Sequence, residues 1–210
     1  MRFEKGHKES TRRRIIDVAS RRFRRDGASA SGLAGIMAEA GLTNGAFYPH
    51  FESKDVLVRE ALSDAMSHRH TELKRESETG SGIEGAIRGY LNKSHLVGSE
   101  EGCPSAALLP EISRQPEQTR KAYEERLLAY VTTLAEHLFS HVGSVPPDRR
   151  AMGIFSLMVG TLQIARAVTD ESLAEDILEG GVEAALMLAQ ETTRPVATKS
   201  ATPAQSGDGV

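Results

Sequence analysis

Thr43, Asn44, Tyr48, His50 and Lys54 fall within the sixteen residues Glu39–Lys54, and each carries a hydrogen-bonding end. The Asn44 amide sets a donor beside an acceptor, which matches the exposed edge of adenine in a duplex, and the Ala46 methyl suits a thymine methyl. Hydroxyls, a phenol, an imidazole and an ammonium are the groups that hold phosphates, so Ser31, Thr43, Tyr48, His50 and Lys54 are candidate phosphate ligands. With Gly45 they make a DNA-contact set of Ser31, Thr43, Asn44, Gly45, Ala46, Tyr48, His50 and Lys54.

Other reactive side chains are scattered. Cys103, the single cysteine, is read as a small buried hydrophobe, with a sensing thiol as the alternative. His68 and Glu72 lie four apart and could share a metal, but a pair alone is weak evidence and solvated polar residues are the simpler reading. Glu111 is either a pocket carboxylate or a surface residue. No nucleophile–base or phosphate-loop pattern stands out, so no catalytic residue, cofactor or metal site is assigned and an enzyme is not expected.

The elements that must position the Glu39–Lys54 set are helices. Thr11–Asp26 places Ile15, Ile16, Ala19 and Phe23 on one face, among seven arginines. Gly27 follows as its stop. Ser31–Ala40 reads as a second helix, capped by Ser31 and weakened by two glycines. Gly41 supplies the turn, Thr43 caps a third helix of about two turns ending near His50, and Ser53 caps a long helix to Glu78. Met1–Ser10 reads as a basic arm, touching phosphates or merely frayed.

Beyond Gly80-Ser81-Gly82 the patterns remain helical, over Ile83–Val97, Pro104–Arg114, Pro116–His141, Arg149–Thr169 and Leu173–Gln190. The fourth of these is apolar nearly all round, which implies cover from a partner chain. Residues 192–210 read as a disordered tail. Residues 1–54 hold 11 basic and 6 acidic residues, against 15 and 23 in the rest, so a polyanion partner is expected for the N-terminal part only. No apolar run is long enough for a bilayer and no signal peptide is evident, so a cytoplasmic protein is expected.

The run Thr43-Asn44-Gly45-Ala46-Phe47-Tyr48, then His50-Phe51 and Ser53-Lys54-Asp55 with Leu57, resembles the TetR family of one-component transcriptional repressors. Ile36, Ala40-Gly41 and Gly27 extend the likeness upstream. Asn44, Ala46 and Pro49 depart from the family's usual residues. The resemblance implies an all-α chain with three parts. Residues 1–52 form a DNA-binding helix-turn-helix head of three helices, 53–191 a helical ligand-binding and dimerisation domain, and 192–210 the tail. It implies a homodimer on a palindromic double-stranded DNA operator, released by a small-molecule effector. The alternatives are a helical small-molecule-binding stress-response enzyme and a ligand-independent DNA-binding protein. For the effector the expected lining is Met66, Tyr90, Cys103, Tyr123, Tyr130 and Phe155. For the dimer interface it is Phe155, Leu162, Ile177, Leu178, Val182 and Ala185, with Gly153, Gly160 and Gly181 allowing close approach.

Overall fold

The structure, a computed structural model, describes residues 2–78, 82–138 and 149–190. The tail and the Val145-Pro146-Pro147 linker lie outside the described residues. Among these the chain is helical without strands: α1 (Arg2–Asp26), α2 (Leu33–Glu39), a single 3₁₀ turn (Asn44–Ala46), α3 (Lys54–Glu78), α4 (Gly82–Tyr90), α5 (Lys93–Val97), α6 (Pro104–Ile112), α7 (Glu117–Leu138), α8 (Arg149–Ala167) and α9 (Glu171–Gln190).

Three differences from the sequence reading have local causes. The basic arm is not a separate segment, since α1 runs back to Arg2. The expected Ile83–Val97 helix is two helices, because the Asn92 side chain takes the His95 N–H at 2.8 Å and starts a new one. Most consequential, the third helix is one 3₁₀ turn followed by turns through His50. Pro49 has no N–H to give and disfavours the α conformation at Tyr48, so the backbone closes with bonds such as Ala46 N–H to Thr43 O (3.0 Å) and His50 N–H to Phe47 O (2.9 Å).

Two apolar clusters form the interior. The first joins α1, α2, Phe47, Phe51 and the first three turns of α3, and it also takes in Leu108 and Ile112 of α6. A boundary at 52/53 therefore cuts a core that α3 and α6 complete. The second cluster packs α4, α7, α8 and α9 around Tyr90, Tyr130, Phe155 and Leu162.

This second cluster alters the reading of the last helical pair. Phe155, Leu162, Leu178, Val182 and Ala185 are each buried within the single chain, and Ile177 is half-buried. Neighbouring α5, α6, α7 and α9 cover α8 over most of its apolar circumference. Gly181 is where α9 meets α8 closely, as an added Cβ would lie 2.4 Å from Thr161 Cγ2. What stays outside is a different stripe: Gly153, Leu157, Gly160 and Ile164 on α8, with Leu173, Ile177, Gly180, Ala184 and Met187 on α9. These recur at spacings of three and four, one face of each helix.

Candidate DNA-contact surface and ligand cleft

Gly27 ends α1 at φ +88°, and its N–H still closes on Phe23 O at 2.9 Å. Gly41, at φ +67°, turns the chain out of α2, and Leu42 N–H returns to Met37 O at 2.8 Å. Phe47 and Phe51 fix the next stretch from below, stacked at 5.4 Å between ring centres and both buried. Held by these anchors, Thr43, Asn44 and Gly45 are exposed, Ala46 and His50 are half-buried, and Tyr48 is 70% exposed. Among the described residues neither the Thr43 nor the Asn44 side chain makes a hydrogen bond, and Thr43 does not cap the 3₁₀ turn. Donors and acceptors presented without internal partners are available to an outside partner.

His50 differs. Its Nδ1 is buried with no hydrogen-bond partner. Burial first, then the charges of Lys8 and Arg12, hold its pKa below the ordinary value. The N-terminal part of α1, unforeseen as a helix, thus brings Lys8 beside the Tyr48–His50 stretch.

Two expected contacts are otherwise engaged. Ser31 is fully buried; its hydroxyl donates to Gly27 O at 2.7 Å, and Gly32, not Ser31, sits at the N-cap of α2. It fastens the α1–α2 turn and cannot reach a phosphate from there. Lys54 Nζ donates to Ala28 O at 2.8 Å, tying the start of α3 to the same turn. Ser53 does cap α3, taking the Val56 N–H at 3.2 Å.

The arginines of α1 are also largely committed. Arg12 pairs with Glu60 and lies 4.9 Å from the centre of the Phe51 ring. Arg13 bonds Asp64, with Nη2 2.9 Å from Oδ2, and pairs with Asp17. Arg22 and Arg25 meet Asp26 and Glu39, while Arg24 is buried and donates to Glu100 O at 2.6 Å. Much of the basic charge counted in the sequence thus neutralises acids of the same chain.

Glu111, ambiguous in the sequence, reaches from α6 to the head. Its Oε2 takes the Ser29 N–H at 2.8 Å, and an added Cβ on Gly27 would lie 2.6 Å from its Oε1. Glycine at 27 therefore serves both the positive φ and this close approach.

The expected effector lining divides. Met66, Tyr90, Cys103 and Tyr130 are buried in packed interior. Burial pushes the Tyr90 and Tyr130 phenols well above their ordinary pKa. Cys103 is 1% exposed and gives its N–H to His95 Nε2 at 2.9 Å, as a small structural residue. His95 holds a pKa of about 4, lowered first by burial and then by Arg69. Tyr123 and Phe155 alone of the six line an open cleft. It has a volume of about 310 Å³, between Ser105 and Leu109 of α6, Tyr123 and Leu127 of α7, and Phe155 and Gly160 of α8. The neutral side chains of Ser105, Ser156 and Gln163, missed in the sequence, add its polar points. Glu72, considered as a metal ligand with His68, is instead paired with Arg69 at 2.5 Å. Among the described residues no group of three metal-ligating side chains occurs, and no helix is long and apolar enough to cross a membrane.

The comparisons agree with this geometry. Residues 15–61 match the family described as bacterial regulatory proteins, tetR family. The chain is 40% identical over 79 residues to the HTH-type transcriptional regulator TtgR of Pseudomonas putida, covering 38% of this chain and 37% of that one. It is 44% identical over 52 residues to the HTH-type transcriptional regulator AcrR of Shigella flexneri, covering 25% of this chain and 24% of that one. The match thus spans little more than a third of the length of TtgR and about a quarter of that of AcrR. Over most of the chain the fold is similar to that of reduced NemR from E. coli, at TM-score 0.70 and 21% identity, covering 84% of this chain and 95% of that one. It is also similar to a TetR-family transcriptional regulator from Agrobacterium tumefaciens, at TM-score 0.68 and 20% identity, covering 84% and 98%. The matched segment carries the glycine turn, the Phe47–Phe51 anchor and the exposed Thr43–Tyr48 face, so residues 15–61 belong to the family described as bacterial regulatory proteins, tetR family.

Proposed function

We propose that this regulator binds duplex DNA as a two-fold homodimer, represses from a palindromic operator and is released by a small-molecule effector. The observation that carries the DNA reading is the exposed Thr43-Asn44-Gly45 segment, its Thr43 and Asn44 side chains without partners among the described residues, on a turn anchored by buried aromatics. Asn44 reads a base edge, while Thr43, Tyr48 and His50, joined by Lys8, hold the backbone. The exposed stripes of α8 and α9 support the dimer, because Ile164 is 57%, Met187 69% and Leu173 47% exposed on a face where Gly153, Gly160, Gly180 and Ala184 allow close approach. Two heads on one dimer would read half-sites about one helical turn apart, or somewhat more, on one face of the DNA.

Helix α6 supports the effector reading. Ser105 and Leu109 face the cleft, while Leu108, Ile112 and Glu111 pack on the head. A ligand with different affinity for two positions of α6 shifts the population of head positions. The test is selection of bound duplexes from a random pool: recovery of a palindrome supports the reading, and unselective binding opposes it.

A further inference from the structure

We infer that the effector taken by the α6–α7–α8 cleft is an uncharged, largely apolar small molecule bearing one or two hydrogen-bonding groups. This deepens the ligand-released reading above and rests on it for the word effector, though not for the binding itself. The warrant is in the walls. Leu109, Leu127, Met152, Phe155 and Val159 supply apolar surface on three sides. No described residue lining the cleft carries a charge. Burial first raises the pKa of the Tyr123 phenol, which stays neutral.

A charged ligand would leave water here without a counter-ion, and an unpaired charge in apolar surroundings is costly. A neutral ligand escapes that penalty and still finds polar partners. Tyr123 Oη and Ser105 Oγ lie 2.9 Å apart, and only one of their two protons can lie between them. With the Ser105 proton directed to Met66 Sδ at 3.8 Å and the Tyr123 proton to Ser105 Oγ, the Tyr123 oxygen keeps lone pairs for a donor on the ligand. Ser156 donates to Met152 O at 2.8 Å and Gln163 to Ala106 O at 3.3 Å, so each adds an acceptor oxygen to the polar set. The cleft is large enough for a compact bicyclic skeleton with a substituent, within the size usual for small-molecule pockets.

Two dyes with the same anilinonaphthalene skeleton isolate charge. N-phenyl-1-naphthylamine is neutral, and 8-anilino-1-naphthalenesulfonate carries a sulfonate. Each is titrated into the full chain and followed by fluorescence. The neutral dye should bind about tenfold more tightly or better. Leu109→Trp, a substitution at a half-exposed cleft wall, should weaken its binding by a similar factor while the melting temperature holds. Leu127→Trp serves if Leu109→Trp does not fold. Equal binding of the two dyes, or neutral-dye binding that survives the filled cleft, overturns the assignment. The two dyes are then added to the protein on its selected DNA. Neutral-dye binding lost in Leu109→Trp upholds the cleft assignment even when DNA is retained; retention then counts against the effector reading alone.

Discussion

Val182 and Ile164 separate burial within a subunit from burial between subunits, and one substitution at each puts the distinction to the test. Val182 is 1% exposed, held on α9 against the chain's own core, whereas Ile164 is 57% exposed on α8. Val182→Asp removes a buried aliphatic side chain, about 1.5–3 kcal/mol. It also leaves a carboxylate with no counter-charge, a further cost of roughly 3 kcal/mol or more, judged from broken buried ion pairs. The sum, roughly 4.5–6 kcal/mol or more, reaches the lower end of the stability of an ordinary domain, about 5–15 kcal/mol. Val182→Asp should therefore unfold the chain at any concentration. Ile164→Asp should alter the isolated subunit by about 0.5 kcal/mol or less, since its site is largely in water. Across the proposed two-fold interface, however, it buries like charges, so it should leave a monomer while helicity persists. Sedimentation velocity over a concentration series gives the mass, and circular dichroism at the same concentrations gives the fold. A folded, monomeric Val182→Asp would show that α8 and α9 are covered by a partner after all. A dimeric Ile164→Asp would move the interface off this face.

Other outcomes follow from the contacts. Asn44→Ala should alter base preference at one position, by about 1–3 kcal/mol, in a selection from random duplexes; uniform weakening on all sequences would make Asn44 a phosphate ligand. Lys54→Met should lower the melting temperature, because Lys54 holds Ala28 O; an unchanged melt with a smaller salt slope of DNA binding would return it to the phosphates. Glu111→Ala should speed exchange of the Ser29 amide in solution NMR, and an unchanged rate would refute the α6 tie to the head. His95, with a folded pKa of about 4 against 6.5 unfolded, stabilises the fold fully above pH 6.5. The unfolded chain takes up the proton first, so that contribution, on the order of 3 kcal/mol, is lost as pH falls from 6.5 to 4. His95→Gln should flatten this part of the urea-denaturation profile, and an unaltered slope would assign it to other groups.

The local signals in the sequence were those of backbone chemistry. Gly27 and Gly41 stop helices because positive φ favours glycine, and both adopt it. Ser53 caps α3, and Phe47 and Phe51 enter the core, as their types and spacing imply. The family likeness is legible for the same reason: a turn, a cap and two aromatic anchors within one short stretch specify one local fold. Pro49 was equally visible, and its missing N–H replaces the expected third helix with a 3₁₀ turn.

Long-range pairing was not legible. Periodicity shows that Leu162, Leu178 and Val182 are buried but not by which chain, since burial depends on apolar area and not on whose atoms cover it. The arginines of α1 count alike in a sum of charges. Only the packing of α1 on α3 and on the α5–α6 loop shows that Arg12, Arg13 and Arg24 are engaged inside the molecule. Likewise four of the six residues expected around a ligand fill the interior, and the cleft lies instead where α6, α7 and α8 leave a gap. A gap is a property of how helices meet, and no residue carries it alone; residue types and spacing fix each helix's faces, while the tertiary structure decides what those faces touch.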